Sequence, residues 1–188
     1  MPSLSEEDRR VLLELARESI VEAVFRRQLP EKIPNDGIFA ERKGVFVTLH
    51  VRGRLRGCIG VIEGDEKLAE AVVRSAASAA LQDARFPPLR SEELAELEIE
   101  ISLLSSLAPV RPEDVEIGQH GLLITQGAKR GLLLPQVAVE HHLTREQFIE
   151  ETCRKAGLDR EAWRHPDTTL SGFTCEVFSS QGPATPRE

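Results

Sequence analysis

Tyrosine is absent from this 188-residue chain, and tryptophan and methionine occur once each. Seven phenylalanines are the remaining aromatic stock, so Leu, Val, Ile and Ala must build the core. Few aromatics and a net charge of −7 argue against a nucleic-acid surface, which needs cations for phosphates and rings for bases. No apolar run approaches the ~20 residues that span a bilayer, so no membrane association is expected. The polar, acidic stretch Met1 to Arg10 is unlike a signal peptide. Three cysteines stand far apart at 58, 153 and 175, and they are expected to be reduced thiols of a cytoplasmic protein. Zinc-type Cys/His spacing, a phosphate loop, a dinucleotide fingerprint and a nucleophile elbow are all missing. His141 and His142 are adjacent and diverge on a helix, while His50 and His165 have no ligand-like neighbours in sequence. Neither a metal nor a cofactor is expected.

What is present describes an ordinary globular chain, 40% hydrophobic and 29% charged, long enough for one domain carrying a smaller lobe. Ser5 to Gln28 has apolar residues at three- and four-residue spacing behind Glu6, Glu7 and Asp8, which predicts an amphipathic helix. Val45, Val47, Leu49 and Val51 alternate, Arg52-Gly53 reads as a turn, and Arg54 to Ile62 as the returning strand of a hairpin. On that strand Leu55, Ile59 and Val61 are expected to face the core. Asp65 to Leu81 reads as an Ala- and Ser-rich helix, stopped by the prolines at 87 and 88. Leu97 to Leu104 alternates as a strand, and the proline-flanked link Pro109 to Pro112 marks a lobe boundary. A second hairpin follows around Gln126 to Arg130, then a short helix from Pro135 and a stronger one from Thr144. Thr144 and Gln147 have capping-box spacing, and Gly157 stands at the C-terminal cap. Phe173 to Phe178 reads as a last strand, and Ser179 to Glu188 as a frayed tail. Recurrent hairpins without regular helix–strand alternation predict an α+β fold: an antiparallel sheet flanked by helices.

The stretch with most chemistry is Arg54-Leu55-Arg56-Gly57-Cys58-Ile59-Gly60. In an extended segment Arg54, Arg56 and Cys58 share a face, and two cations beside a thiol favour its thiolate. Gly57 and Gly60 would leave backbone N–H groups open to an anion. The plainer reading is a buried core cysteine. Asp83 follows the second helix, where a negative charge opposes the helix dipole unless Arg54, Arg56 or Arg85 pairs with it. Such a pair serves either a site or the fold. His120 has the right acidity for proton transfer, though a lone histidine is more often a surface or capping group.

On these residues the chain resembles the AMMECR domain family, often labelled protein A of the AmmeMemoRadiSam system. The matching landmarks are the Arg54–Gly60 stretch, Asp83-Ala84-Arg85-Phe86-Pro87-Pro88, His120-Gly121, Leu134-Pro135-Gln136-Val137-Ala138 and Arg154-Lys155-Ala156-Gly157. They stand in family order across roughly residues 8 to 180. Relatives commonly carry Gly-Trp-Asp where this chain has His142-Leu143-Thr144. The resemblance implies a larger lobe from both chain ends (1–108 and 168–188) and a smaller inserted lobe (109–167), with the first motif near the groove between them. It also implies association with a Memo-like protein of the extradiol-dioxygenase fold and with a radical SAM protein. Two functions follow as expectations. In the first, Arg54, Arg56 and Arg85, with Gly57 and Gly60, bind an anionic small molecule or peptide, Cys58 supplies the thiol, and His120 or Asp83 moves protons. In the second, the protein is a non-catalytic adaptor and the motif serves the fold.

Overall fold

The structure, a computed structural model, describes residues 4–180. It is an α+β protein whose described residues divide into two compact units, one formed by those up to Leu104 with those from Glu176 onward and the other by 105–175. The ends of the chain beyond 4 and 180, including most of the expected tail, lie outside the described residues.

In the first unit, α1 (Glu6–Arg26) begins at Ser5, whose hydroxyl accepts the Asp8 N–H while the Asp8 carboxylate accepts the Ser5 N–H. That capping box satisfies two donors the helix would otherwise leave open. The helix ends one turn before Pro30, at Arg27 in the left-handed region. β1 (Val45–Val51) and β2 (Arg54–Val61) form the expected hairpin. Arg52 and Gly53 both have positive φ, as a two-residue turn matched to strand twist requires. β3 (Leu97–Leu104) pairs antiparallel with β1 on its other side. Val45, Val47, Leu49, Ile99 and Ile101 face α1 and α2 (Leu68–Leu81) in one buried cluster. The second helix starts three residues later than its composition suggests, after a turn in which the Leu68 N–H bonds the Glu41 carbonyl.

One expectation about β2 is overturned. Leu49 pairs with Gly57 but His50 pairs with Leu55, so Arg56 is an extra residue, a β-bulge. The bulge resets the alternation. Leu55 moves off the core face and is 41% exposed, and Arg54, opposite Val51, falls on the face away from Cys58. Arg54, Arg56 and Cys58 therefore do not line one face.

In the second unit, β4 (Ala108–Pro109) and β5 (His120–Gln126) pair with β7 (Thr169–Ser179), and β6 (Lys129–Leu133) pairs with β5. α3 (Pro135–Glu140) and α4 (Arg145–Lys155) cover this sheet, and the Thr144–Gln147 capping box forms as its spacing foretold. Phe148, Ile149, Leu122 and Ile124 centre its core. The last strand is longer than the sequence suggests; its end, from Glu176, belongs to the first unit, where the Ser180 N–H bonds the Ile99 carbonyl. Among the described residues no helix is long and apolar enough to cross a membrane.

Candidate functional site

Cys58 sits on β2, an edge strand, opposite Thr48 of β1. Its backbone N–H and carbonyl point away from β1, toward the segment after α2. There the Asp83 carboxylate accepts the Cys58 N–H at 2.9 Å, and the Arg85 guanidinium donates to the Cys58 carbonyl at 3.3 Å. Arg85 also donates to both Asp83 oxygens, at 2.7 and 3.0 Å. This pair supplies the hydrogen bonds a further strand would make, and so closes the sheet edge at Cys58. Asp83 is 6% exposed. Arg85 and the backbone donors hold its carboxyl well below the usual carboxylate range, against the opposing effect of burial.

Arg56 forms a second closed pair. Its guanidinium bonds Glu93 at 2.8 and 3.0 Å and donates to the carbonyls of Pro87 and Pro88. The Glu93 carboxyl is lowered chiefly by that hydrogen bond. The sequence signal for Asp83–Arg85 was visible in the helix-end aspartate, whereas Glu93 lies 37 residues from Arg56 and offered no local cue. Arg54 is exposed at the hairpin end.

The glycines have steric reasons. A Cβ at Gly57 would overlap the Ala79 carbonyl oxygen of α2, and one at Gly60 would overlap Val45 and Phe46. Gly57 thus lets helix and strand approach closely, and Gly60 seats the Phe46 ring.

The Cys58 sulfur accepts a hydrogen bond from the Thr48 hydroxyl at 3.2 Å, and the residue is half-buried. Pairing across the three strands aligns Cys58 with Thr48 and Glu100; the flanking rows are Gly60–Phe46–Ser102 and Leu55–His50–Glu98. His50, isolated in sequence, is therefore set between strands that bring it opposite Glu98. Cys153 is buried in the second core, and burial pushes its thiol up; Cys175 is pushed up to about 12 by burial. His120 opens β5 in the second unit, where its Nδ1 accepts the Glu116 N–H at 3.0 Å.

A bulged edge strand, a strand-mimicking Asp–Arg pair and a hydroxyl-bonded thiol thus meet on β2 of this α+β protein. The chain belongs to the AMMECR1 family, whose description matches residues 13–178. It is 39% identical to a Methanothermobacter thermautotrophicus protein over 95% of this chain and 97% of that one, and 42% identical to a Methanosarcina acetivorans protein over 96% and 95%. The fold is similar to the crystal structure of an uncharacterized protein from Pyrococcus horikoshii, with TM-score 0.83 and 36% identity over 92% of this chain and 91% of that one.

Proposed function

We propose that this protein binds a small molecule or peptide through Cys58, acting as a positioned thiol. The observation that carries the reading is the Thr48 hydroxyl donating to a sulfur whose own backbone is held on both sides by Asp83 and Arg85. A fixed main chain removes much of the entropy of aiming a nucleophile, and the hydroxyl fixes where its sulfur points. The test is alkylation by iodoacetamide across pH, followed by peptide mass spectrometry. Cys58 is expected to react first, with Cys153 and Cys175, whose thiols burial pushes up, inert until unfolding. A Cys58 that labels only on unfolding overturns the reading.

A second reading is favoured by one observation: Arg56 and Arg85 spend their charge on Glu93 and Asp83. In that reading the motif serves the fold, and the protein is an adaptor for a Memo-like or radical SAM partner. Undiminished partner capture by Cys58→Ser supports it; loss of capture rejects it.

A further inference from the structure

We propose that a cleft in the second unit binds a small organic acid, an apolar body carrying one carboxylate. The cleft lies where Leu133, at the end of β6, meets α3 and α4, and its volume is about 620 Å³. Small-molecule sites run from roughly 300 to 1,000 Å³. Leu133, Val137 and Leu143 give the cleft an apolar floor, and each also packs against the second core. Glu151, Arg154 and Lys155 follow at three- and four-residue spacing on one face of α4, and His141 stands directly past the end of α3. Glu151 is the carboxylate of the lining, and Arg154 and Arg160 pair with it at 2.9 and 3.4 Å. Two cations against one carboxylate leave the lining positive with His141 neutral, which matches a monoanion better than a phosphate dianion.

The ends of both helices are closed by their own backbone. In α4 the Thr152, Cys153 and Arg154 carbonyls accept the N–H groups of Ala156, Leu158 and Gly157, and the Lys129 ammonium donates to the Gly157 carbonyl at 2.9 Å. At the end of α3 the Val137, Ala138 and Val139 carbonyls accept those of His141, Leu143 and His142. The side chains of Lys155 and His141 are therefore not needed as caps, and neither has a hydrogen bond or ion pair among the described residues. A lysine in the last turn still complements the dipole of α4, a role that bears on stability and not on ligand choice. The first unit has a cleft of similar size, about 570 Å³ beside α1, but its cations are engaged. Arg9 pairs with Glu176, Arg10 with Glu7 and Glu14, and Arg17 donates to the Leu94 and Leu97 carbonyls. The second-unit cleft is the one that sets an unpaired ammonium beside an apolar floor.

The experiment titrates the full isotope-labelled chain with octanoate and with octanamide, its neutral isostere, and reads backbone amide shifts by NMR. Octanoate is expected to move the amides of 137–143 and 151–155 saturably. It should bind about fivefold tighter than octanamide, the scale of an exposed charge pair, and lose that advantage at high salt. Lys155→Glu is expected to weaken octanoate about fivefold or more while octanamide changes less than about twofold, and Lys155→Arg to restore octanoate binding. Equal binding of octanoate and octanamide overturns the charge assignment. Shifts confined to α1, or no saturable shift below micelle formation, overturn the site. A Lys155→Glu protein that is less stable yet binds octanoate as wild type does assigns Lys155 to the helix dipole alone and overturns the proposal. Should Lys155→Glu fail to fold, Lys155→Ala and the salt dependence of the wild-type preference decide. None of these outcomes bears on Cys58, which alkylation tests by itself.

Discussion

Asp83 accepts the backbone N–H of Cys58 across 25 residues of sequence, and with Arg85 it stands in for a missing strand at the edge of the first sheet. A buried carboxylate in such a place is held by its partners, and the same partners become a liability if it is removed.

Replacing Asp83 with Asn is therefore expected to destabilise the first unit by about 2–4 kcal/mol, because Arg85 and the Cys58 N–H lose a charged acceptor. The sign of the pH effect follows from the direction of the shift. The folded carboxyl titrates below its unfolded value of ~3.9, so its contribution is complete above that pH and is lost as pH falls toward the folded value. Urea midpoints at pH 7, 4 and 3 are expected to fall more steeply for wild type than for Asp83→Asn. Parallel curves would assign the acid sensitivity elsewhere.

Gly57→Ala sets a methyl group against the Ala79 carbonyl. Strand and helix must then separate, at a cost of about 1–3 kcal/mol by the usual penalty for overpacking. Gly53→Ala meets no neighbouring atom but keeps φ at +71°, so only backbone strain of ~1 kcal/mol is expected. Chemical denaturation of both variants checks the ranking.

Thr48→Val keeps the shape of the side chain and deletes its hydroxyl. If the hydroxyl positions the Cys58 sulfur for attack, iodoacetamide labelling at pH 7 slows about three- to tenfold, while labelling of denatured protein is unchanged. An unchanged native rate would reduce Thr48 to packing.

Thr144→Ala removes the cap of α4 and should cost about 1 kcal/mol. Trp163 packs against the second core and is the chain's single tryptophan. Its fluorescence is thus the direct reporter, and the expected result is a lower denaturation midpoint by that probe.

Much of the fold could be read from local pattern. Leu97–Leu104 emerged with the boundaries its alternation set, and Thr144, Gln147 and Gly157 framed a helix as capping chemistry requires. The errors cluster where distant residues decide. Leu55, Ile59 and Val61 look like one period-two face, but the bulge at Arg56 breaks it, and Pro87, Pro88 and Glu93 hold the displaced guanidinium. Gly57 looked like a ligand-facing gap because its reason, Ala79, lies on another element. His50 looked isolated because Glu98 reaches it only through the pairing of β1 with β3. Asp83 was the legible part of the site: a charge that local electrostatics disfavours demands a partner, and Arg85 is two residues away.

The two ends of the second unit are joined side by side: the Ser105 N–H bonds the Thr174 carbonyl at 2.9 Å, and the Ser105 hydroxyl accepts the Thr174 N–H. To the first unit, the whole of 105–175 is therefore equivalent to a hairpin loop. Loop-closure entropy grows only with the logarithm of loop length, so the first sheet tolerates a domain-sized excursion between β3 and the end of β7 at a cost little above that of a long turn. The chain can vary, lengthen or exchange that excursion while the strand carrying Cys58 keeps its neighbours.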